Sequence, residues 1–339
     1  MTEPYYRDEQ VTLLLGDALE QLRTLPDGAV DCIVTSPPYF GLRDYGTPGQ
    51  YGLEASPAEY VETMRAVFAE ARRVLADDGT LWLNLGDSYS SGQGALNTGF
   101  NDRWHGEGNS GQRKQEKGRP SRRRDGAEAA AARRAVTGLP AKNLLMVPER
   151  VAMALQDDGW TLRNKIVWHK PNAMPESVRD RLTARHEHLF LFAKQPRYYF
   201  DLDAIREPTT GGAHARSTAA NARWIEKTRT ENLGVSGAPS KTLGALKETR
   251  NPGDVWSIAT KPYPSAHFAV MPIDLPLRCI KAGCRPGGTV LDPFSGSGTT
   301  GAAARQLGRK YVGIDLNPAY HELAKKRFAQ GMLDFGGAA

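Results

Sequence analysis

Short apolar runs alternate with amphipathic stretches along most of the chain, and the two patterns predict different elements. Short runs that are mainly apolar predict strands covered on both faces, as in a parallel sheet. The predicted strands are residues 11–15 (VTLLL), 30–35 (VDCIVT), 80–87 (TLWLNLGD), 161–170 (TLRNKIVWHK), 187–194 (EHLFLFAK), 197–201 (RYYFD), 289–294 (TVLDPF) and 310–316 (KYVGIDL).

Apolar positions three and four residues apart predict helices between these strands. The clearest helix begins after Ser56, a capping residue, with Pro57 in its first turn and Glu59 completing a capping box; Gly79 is its expected stop. Further helices are expected within residues 16–28, 143–160, 273–288, 295–309 and 317–330. Strands that alternate with helices predict an α/β fold built on a mainly parallel sheet.

Two stretches lack either pattern. Residues 89–138 are rich in Gly and Arg and predict a mobile insertion, and residues 208–253 are again polar and irregular. Within the first, residues 111–134 carry nine Lys/Arg and three Asp/Glu, a balance equal to the net charge of +6 of the whole chain. Such a run is either a solvated face or a contact for a polyanion, and its position inside a well-patterned chain favours nucleic acid.

Composition argues against several classes of protein. No apolar run approaches the roughly 20 residues that cross a bilayer, and the polar N-terminus does not resemble a signal peptide. Cys32, Cys279 and Cys284 form no CxxC pair, so neither a disulfide framework nor a zinc site is expected. The HEH triplet at 186–188 has no third ligand at suitable spacing, so no metal is expected. We therefore expect a cytoplasmic protein without a membrane partner.

The sequence TSPPY follows the second predicted strand and raises the question of why a strand should end in so stiff a turn. Pro37 and Pro38 fix their φ angles and lack backbone donors, so they cannot extend a sheet. They can hold Ser36 and Tyr39 in a set geometry at the carboxyl end of the strand, where ligands bind in open α/β sheets.

The sequence VLDPFSGSGTTGAAA, residues 290–304, predicts a strand, a tight glycine turn and a helix. Gly296 and Gly298 permit positive φ and a close approach of backbone to ligand. A P-loop would have a lysine where Thr299 stands, which argues against a nucleoside triphosphate. GSGTTG matches GxGxxG, and Asp315 follows Gly296 by nineteen residues, which indicates an adenosine-like ligand without saying which one.

The combination of these two turns separates the possible ligands. A nicotinamide enzyme has no use for Ser-Pro-Pro-Tyr, whereas an S-adenosylmethionine enzyme that methylates an exocyclic amine does. Hydrogen-bond acceptors such as Ser36 Oγ and the Pro37 carbonyl can draw the delocalised amine toward tetrahedral geometry, and Tyr39 offers a face on which a flipped-out base can stack. Methylation at carbon 5 of cytosine needs a cysteine nucleophile, and none of the three cysteines lies in a suitable turn.

With these motifs in this order, the chain resembles the permuted β class of amino-group DNA methyltransferases. The resemblance covers roughly residues 11–88, 139–206 and 254–328. It implies a Rossmann-like, S-adenosylmethionine-dependent methyltransferase sheet, circularly permuted, with an inserted recognition region. The implied domains are 1–88 and 139–207 (catalytic), 89–138 (insertion), 208–253 (target recognition), 254–330 (cofactor binding) and 331–339 (tail).

The resemblance also implies roles for particular residues. Ser36, Pro37, Pro38 and Tyr39 would form the catalytic turn. The cofactor would contact Asp17, Asp292, Phe294, Ser295, Gly296, Gly298, Thr299, Asp315 and His267. Asp17 could instead be a helix cap, and His267 a structural histidine. Candidate DNA contacts are Arg43, which could equally form an ion pair, and Arg122, Arg123, Arg124 and Trp224.

Serine at the head of the catalytic motif is commoner among the N4-cytosine members of this family, so N4 of cytosine in double-stranded DNA is the expected target. N6 of adenine is the alternative, and a non-catalytic nucleic-acid-binding protein on the same fold, or an enzyme acting on RNA, also remains open. A protein-glutamine enzyme would normally have Asn in place of Ser36 and the unpermuted order. The target sequence, a cognate restriction endonuclease as partner, and the oligomeric state are left open.

Overall fold

The computed structural model describes residues 3–42, 46–90, 139–209, 249–261 and 271–334, with side chains as far as residue 329. The chain divides into two compact units. The larger comprises residues 1–201 and 254–339, and the smaller runs from Leu202 to Gly253. In the smaller unit, a short 3₁₀ helix (Asp203–Ile205) precedes the antiparallel pair of β7 (Glu207–Pro208) and β8 (Thr249–Arg250).

The larger unit alternates strands and helices, as the sequence pattern predicts. Its strands are β1 (Tyr6–Arg7), β2 (Val11–Leu15), β3 (Val30–Thr35), β4 (Leu75–Leu85), β5 (Thr161–His169), β6 (His186–Ala193), β9 (Val255–Ser257), β10 (Thr289–Asp292) and β11 (Lys310–Asp315). Its helices are α1 (Ala18–Thr24), α2 (Pro57–Val74), α3 (Val147–Asp157), α4 (Asp274–Gly283), α5 (Thr299–Gln306) and α6 (Pro318–Asp334).

Among the described residues, the strands of the larger unit form one sheet in the order β1-β2-β11-β10-β3-β4-β6-β5-β9. The strands from β2 to β4 in this order are mutually parallel, and β6 runs antiparallel to both β4 and β5. The carboxyl ends of the parallel strands and the amino end of β6 therefore meet at one edge of the sheet. Both motif-bearing turns, which follow β3 and β10, leave the sheet at this edge.

Helix α2 begins as predicted but ends earlier. Ser56 Oγ accepts a hydrogen bond from the Glu59 backbone N–H at 3.2 Å, and Pro57 lies in the first turn. The helix does not continue to Gly79, because Leu75 is fully buried and pairs with Val30, so the chain enters β4 at once. Gly79 lies inside β4, where a Cβ would come within 2.9 Å of the Asp31 carbonyl oxygen.

The prediction of a strand at 197–201 is wrong. The backbone N–H of Tyr199 donates to the carbonyl of Asp78 in β4 at 2.8 Å, and that of Asp201 donates to the carbonyl of Ala282 near the end of α4 at 2.8 Å, but the segment itself is not a strand of the sheet. Its aromatic residues pack on the sheet instead, with Phe200 stacked on Trp82 at 6.4 Å between ring centroids. In the part of the chain that the structure describes, no helix is long and apolar enough to span a bilayer.

Candidate active site

The turn from Ser36 to Tyr39 is braced by its surroundings. The Tyr60 hydroxyl of α2 donates to the Pro38 carbonyl at 2.8 Å. Gly52 passes so close that a Cβ on it would lie 2.9 Å from the Tyr39 carbonyl oxygen. Gly86, just after β4, faces the Tyr39 ring, and a Cβ there would lie 2.5 Å from the ring edge. The stiffness expected from the two prolines is thus reinforced by contacts from three other segments.

The polar groups of this turn form a hydrogen-bonded network. Ser36 Oγ lies 3.2 Å from the Tyr39 hydroxyl and 3.4 Å from Asn84 Oδ1. The Tyr39 hydroxyl lies 3.1 Å from Asn84 Oδ1 and 2.8 Å from Glu187 Oε2. The other oxygen of Glu187 accepts a hydrogen bond from Lys170 Nζ. Asn84 and Glu187 come from β4 and β6, so the network joins three strands at one edge of the sheet.

The glycine turn after β10 takes the conformation that its glycines permit. Gly296 and Gly298 have φ angles of +50° and +74°, which other residues rarely adopt. A Cβ on Gly298 would also lie 2.8 Å from the Cβ of Ala324 in α6. Ser295 is fixed at both ends, since its backbone N–H donates to the Ile314 carbonyl at 2.8 Å and its hydroxyl accepts from Tyr311 at 2.8 Å.

Both turns line one cavity of about 790 Å3. The Ser36–Tyr39 turn contributes all four of its residues, and the glycine turn contributes Phe294, Ser295, Gly296, Ser297 and Thr299. Further lining residues come from the loops after β5 and β9. Asn172 joins these loops by accepting from the Thr260 backbone N–H and donating to the Thr260 carbonyl, each at 2.9 Å. The cavity therefore brings together the two motifs that the sequence places at opposite ends of the chain.

Two carboxylates lie in the wall of this cavity at the ends of adjacent strands. Asp292 is buried and accepts hydrogen bonds from Thr35 Oγ1 at 2.6 Å and the Phe294 backbone N–H at 3.1 Å. Asp315 accepts from the backbone N–H groups of Gly296 and Asn317, both at 2.8 Å. Burial raises the pKa of each carboxyl group to about 6, although these hydrogen bonds act in the opposite direction.

Asp17 caps α1, the alternative that the sequence left open, and it makes a second contact as well. One carboxylate oxygen accepts from the Glu20 backbone N–H at 3.0 Å and the other from the Tyr51 hydroxyl at 2.6 Å. Its neighbours Gly16 and Ala18 line the cavity, as does Tyr51, whose ring packs edge-on against Phe294 at 5.3 Å. Asp17 thus positions the cavity wall through Tyr51, a residue that sequence reasoning missed.

Several predicted contacts lie outside the described residues: His267, Arg43, Arg122, Arg123, Arg124 and Trp224. Sequence reasoning also missed Asn84, Lys170 and Glu187. The only sequence signal at Glu187 was the HEH triplet, which we considered as a metal site. The described residues contain no group of three metal-ligand side chains suited to hold an ion. The three cysteines are all described and buried, and none lines the cavity.

Burial also makes the cysteines poor nucleophiles. It raises the pKa of the Cys32 and Cys279 thiols far above the ordinary value and that of Cys284 to about 12. The cavity is instead equipped with hydroxyl, amide and carboxylate acceptors beside an aromatic ring. Such a site suits the transfer of a group to a planar nitrogen nucleophile rather than covalent attack by a thiolate on the ring of a base.

This fold and site define a methyltransferase of the α/β class, and comparison with known proteins gives the family. A family model described as DNA methylase, covering N6 and N4 methyltransferases, matches residues 30–326. The chain is 44% identical over 318 residues to the Type II methyltransferase M.Cfr9I of Citrobacter freundii, covering 93% of this chain and 87% of the relative. It is 42% identical over 319 residues to M.SmaI of Serratia marcescens, covering 93% and 89%. The chain belongs to the N6/N4 DNA methylase family.

Solved structures show the same fold at low sequence identity. The cytosine-N4-specific PvuII DNA methyltransferase superposes with a TM-score of 0.61 at 18% identity, covering 96% of this chain and 89% of that one. A protein described as a DNA modification methylase from Thermus thermophilus, solved with S-adenosyl-L-methionine, gives 0.53 at 23% identity, covering 94% and 93%. These structures confirm the predicted Rossmann-like α/β fold. Membership of the family makes the protein an S-adenosylmethionine-dependent DNA methyltransferase, which confirms the predicted cofactor and makes the non-catalytic alternative wrong.

The residues of the cavity fit this cofactor. Ser297 Oγ is buried without a hydrogen-bond partner in a residue that lines the cavity, so a polar ligand group there would satisfy it. The Asp315 oxygens keep lone pairs beyond the two backbone hydrogen bonds, as acceptors for ribose hydroxyls require. When bound, the cofactor supplies an electrophilic methyl group on a sulfonium.

Proposed function

We propose that the protein transfers a methyl group to the exocyclic N4 of a flipped-out cytosine in duplex DNA. The observation that carries the proposal is Ser36 Oγ at the head of the catalytic turn, in the cavity that also contains the glycine turn. The cytosine-N4-specific name of the PvuII enzyme, a structural neighbour with 96% of this chain covered, supports the choice of base. N6 of adenine is the second candidate, because its amine has similar geometry.

The catalytic turn would act by positioning and polarising the amine. The lone pair of an exocyclic amine is delocalised into the base, so the amine is a weak nucleophile. Ser36 Oγ and the Pro37 carbonyl would accept its two hydrogens, which favours tetrahedral nitrogen and stabilises the charge that develops during attack. The Tyr39 ring would stack on the base, and Gly86 behind it holds that ring in place. Most of the rate enhancement would come from alignment of nitrogen with methyl carbon.

Other site roles extend this proposal. Asp315, Ser297 and the backbone of the glycine turn would hold the cofactor, while Asp292 would hold the turn itself through Thr35 and Phe294. The Type II designation of the relatives supports a restriction endonuclease of the same specificity as a partner.

The proposal is tested by enzymatic digestion and mass spectrometry of duplex DNA incubated with the protein and methyl-labelled S-adenosylmethionine. We expect labelled N4-methylcytosine from the parent protein and at least about a hundredfold less from Ser36→Ala, in line with the loss of a transition-state hydrogen bond. Ser56→Ala is a control, since it removes a hydroxyl from the N-cap of α2. Labelled N6-methyladenine instead would contradict the choice of base, and labelled 5-methylcytosine would contradict the mechanism.

A further inference from the structure

The Tyr39 hydroxyl has one proton and three acceptors within reach. These are Glu187 Oε2 at 2.8 Å, Asn84 Oδ1 at 3.1 Å and Ser36 Oγ at 3.2 Å. An ionised carboxylate is a stronger acceptor than an amide or a hydroxyl, and its distance is also the shortest. The proton of Tyr39 therefore points toward Glu187 and away from Ser36.

The orientation of the Asn84 amide is fixed independently. Its Nδ2 donates to the His188 carbonyl at 3.2 Å, so Oδ1 is the atom directed at Ser36 and Tyr39. With Oδ1 as acceptor and the Tyr39 proton committed to Glu187, the Ser36 proton has two acceptors inside the network, Tyr39 and Asn84. The lone pairs of Ser36 Oγ are then left to accept a hydrogen from a ligand.

The carboxylate of Glu187 is itself held in place. Lys170 Nζ contacts its other oxygen, and the side chains of Lys170 and Glu187 are only 19% and 18% exposed. The same ammonium group lies 4.4 Å from the centre of the buried Trp168 ring. A largely buried pair of this kind keeps the Glu187 carboxylate oriented, because breaking it would leave one charge uncompensated.

We propose that Glu187 is a positioning residue that sets the direction of the hydrogen-bond chain through Tyr39 and thereby keeps Ser36 Oγ as an acceptor for the substrate amine. This inference rests on the proposed role of Ser36. Glu187, the middle residue of the HEH triplet, would thus have a function in the methylation reaction. Without its carboxylate, Tyr39 can donate to Ser36, and one Ser36 lone pair is then no longer available to the substrate amine.

The test is a double-mutant cycle on the single-turnover rate of methyl transfer, with saturating cofactor and duplex DNA. Tyr39→Phe keeps the ring and removes the hydroxyl, and Glu187→Gln keeps the shape and removes the charge. We expect Glu187→Gln to lower the rate constant about tenfold, the scale of a hydrogen bond to a charged group. Tyr39→Phe should lower it by less, because it removes the hydroxyl that would donate to Ser36 and leaves Asn84 as an acceptor for the Ser36 proton. Because Glu187 acts through the Tyr39 hydroxyl, Glu187→Gln should cause no further loss in the Tyr39→Phe background, so the double variant should match Tyr39→Phe.

Two further variants separate proton direction from charge balance. Glu187→Gln combined with Lys170→Met removes both charges together, and we expect it to be as slow as Glu187→Gln alone. Glu70→Gln is the matched control, since Glu70 pairs with Arg73 at 2.8 Å in a partly buried pair but neither residue lines the cavity. Its rate constant should stay within about twofold of the parent.

Three results would overturn the inference. They are multiplicative effects in the cycle, recovery of the parental rate when both charges are removed, and a Glu187→Gln effect confined to the Kd of the cofactor. Nucleoside analysis of the product keeps this test separate from the proposed function. If the parent methylates adenine, the choice of base fails while the coupling between Tyr39 and Glu187 is still measured on that product.

Discussion

Cofactor affinity should fall in mild acid because of Asp315. Burial raises the pKa of this carboxyl group to about 6, and a ribose hydroxyl donates a stronger hydrogen bond to its ionised form than to its protonated form. A raised pKa means that the cofactor-free protein holds the proton below about pH 6, so binding that favours the ionised form must expel it there. Between pH 7 and pH 5 the ionised fraction falls about tenfold, which weakens apparent affinity by up to about tenfold, or about 1.4 kcal/mol.

Isothermal titration calorimetry with S-adenosylmethionine at pH 7, 6 and 5 measures this effect directly. The Asp315→Asn variant should bind more weakly at pH 7 and lose the dependence on pH. Asp292→Asn is the informative comparison, since the pKa of Asp292 is also raised to about 6 but its carboxylate contacts Thr35 and Phe294. This second variant should keep the loss of affinity in acid. A parental Kd that is unchanged from pH 7 to pH 5, or a dependence that survives in Asp315→Asn, would refute the assignment.

Three other substitutions have expected outcomes that follow from single contacts. Gly86→Ala should slow methyl transfer at least about tenfold with little change in cofactor Kd, because a Cβ 2.5 Å from the Tyr39 ring must displace that ring. Stopped-flow single turnovers measure this rate, and an unchanged rate would contradict the prediction. Ser56→Ala should lower the free energy of unfolding by about 1 kcal/mol by removing the N-cap of α2, with activity retained, as urea denaturation and a methylation assay would show. Tyr51→Phe should lower the free energy of unfolding by about 1–2 kcal/mol in the same denaturation assay, since it removes the 2.6 Å hydrogen bond to Asp17. An unchanged free energy of unfolding would show that water replaces this hydrogen bond.

Local signals predicted the fold well because they act over a few residues. The capping box at Ser56 placed the start of α2 correctly, and the apolar runs placed the parallel strands. Where tertiary packing competes with local preference, prediction was wrong. Gly79 is a plausible helix stop, yet burial of Leu75 against Val30 ends the helix first. The residues at 197–201 have strand-forming side chains, but their backbone makes isolated hydrogen bonds to Asp78 in β4 and to Ala282 in α4 instead of pairing as a strand.

The site was predictable only as far as its motifs are contiguous. The SPPY and GSGTTG segments are contiguous motifs that can be recognised in the sequence. The rule that ligands bind at the carboxyl ends of parallel strands predicts that both lie in one site. The contact of Tyr39 with Glu187 spans 148 positions and depends on β6 running antiparallel beside β4. No local pattern specifies that pairing, so Glu187, Lys170 and Asn84 could be found only from the assembled sheet.

The atom that receives the methyl group distinguishes N4 methylation of cytosine from every alternative, and it can be identified by isotope labelling. Duplex DNA containing cytosine labelled with nitrogen-15 at N4 would be methylated with S-adenosylmethionine carrying a carbon-13 methyl group, and the product examined by NMR. We expect a one-bond coupling between the carbon-13 and nitrogen-15 nuclei. A labelled methyl group without that coupling, attached to carbon 5 of cytosine or to N6 of adenine, would contradict it.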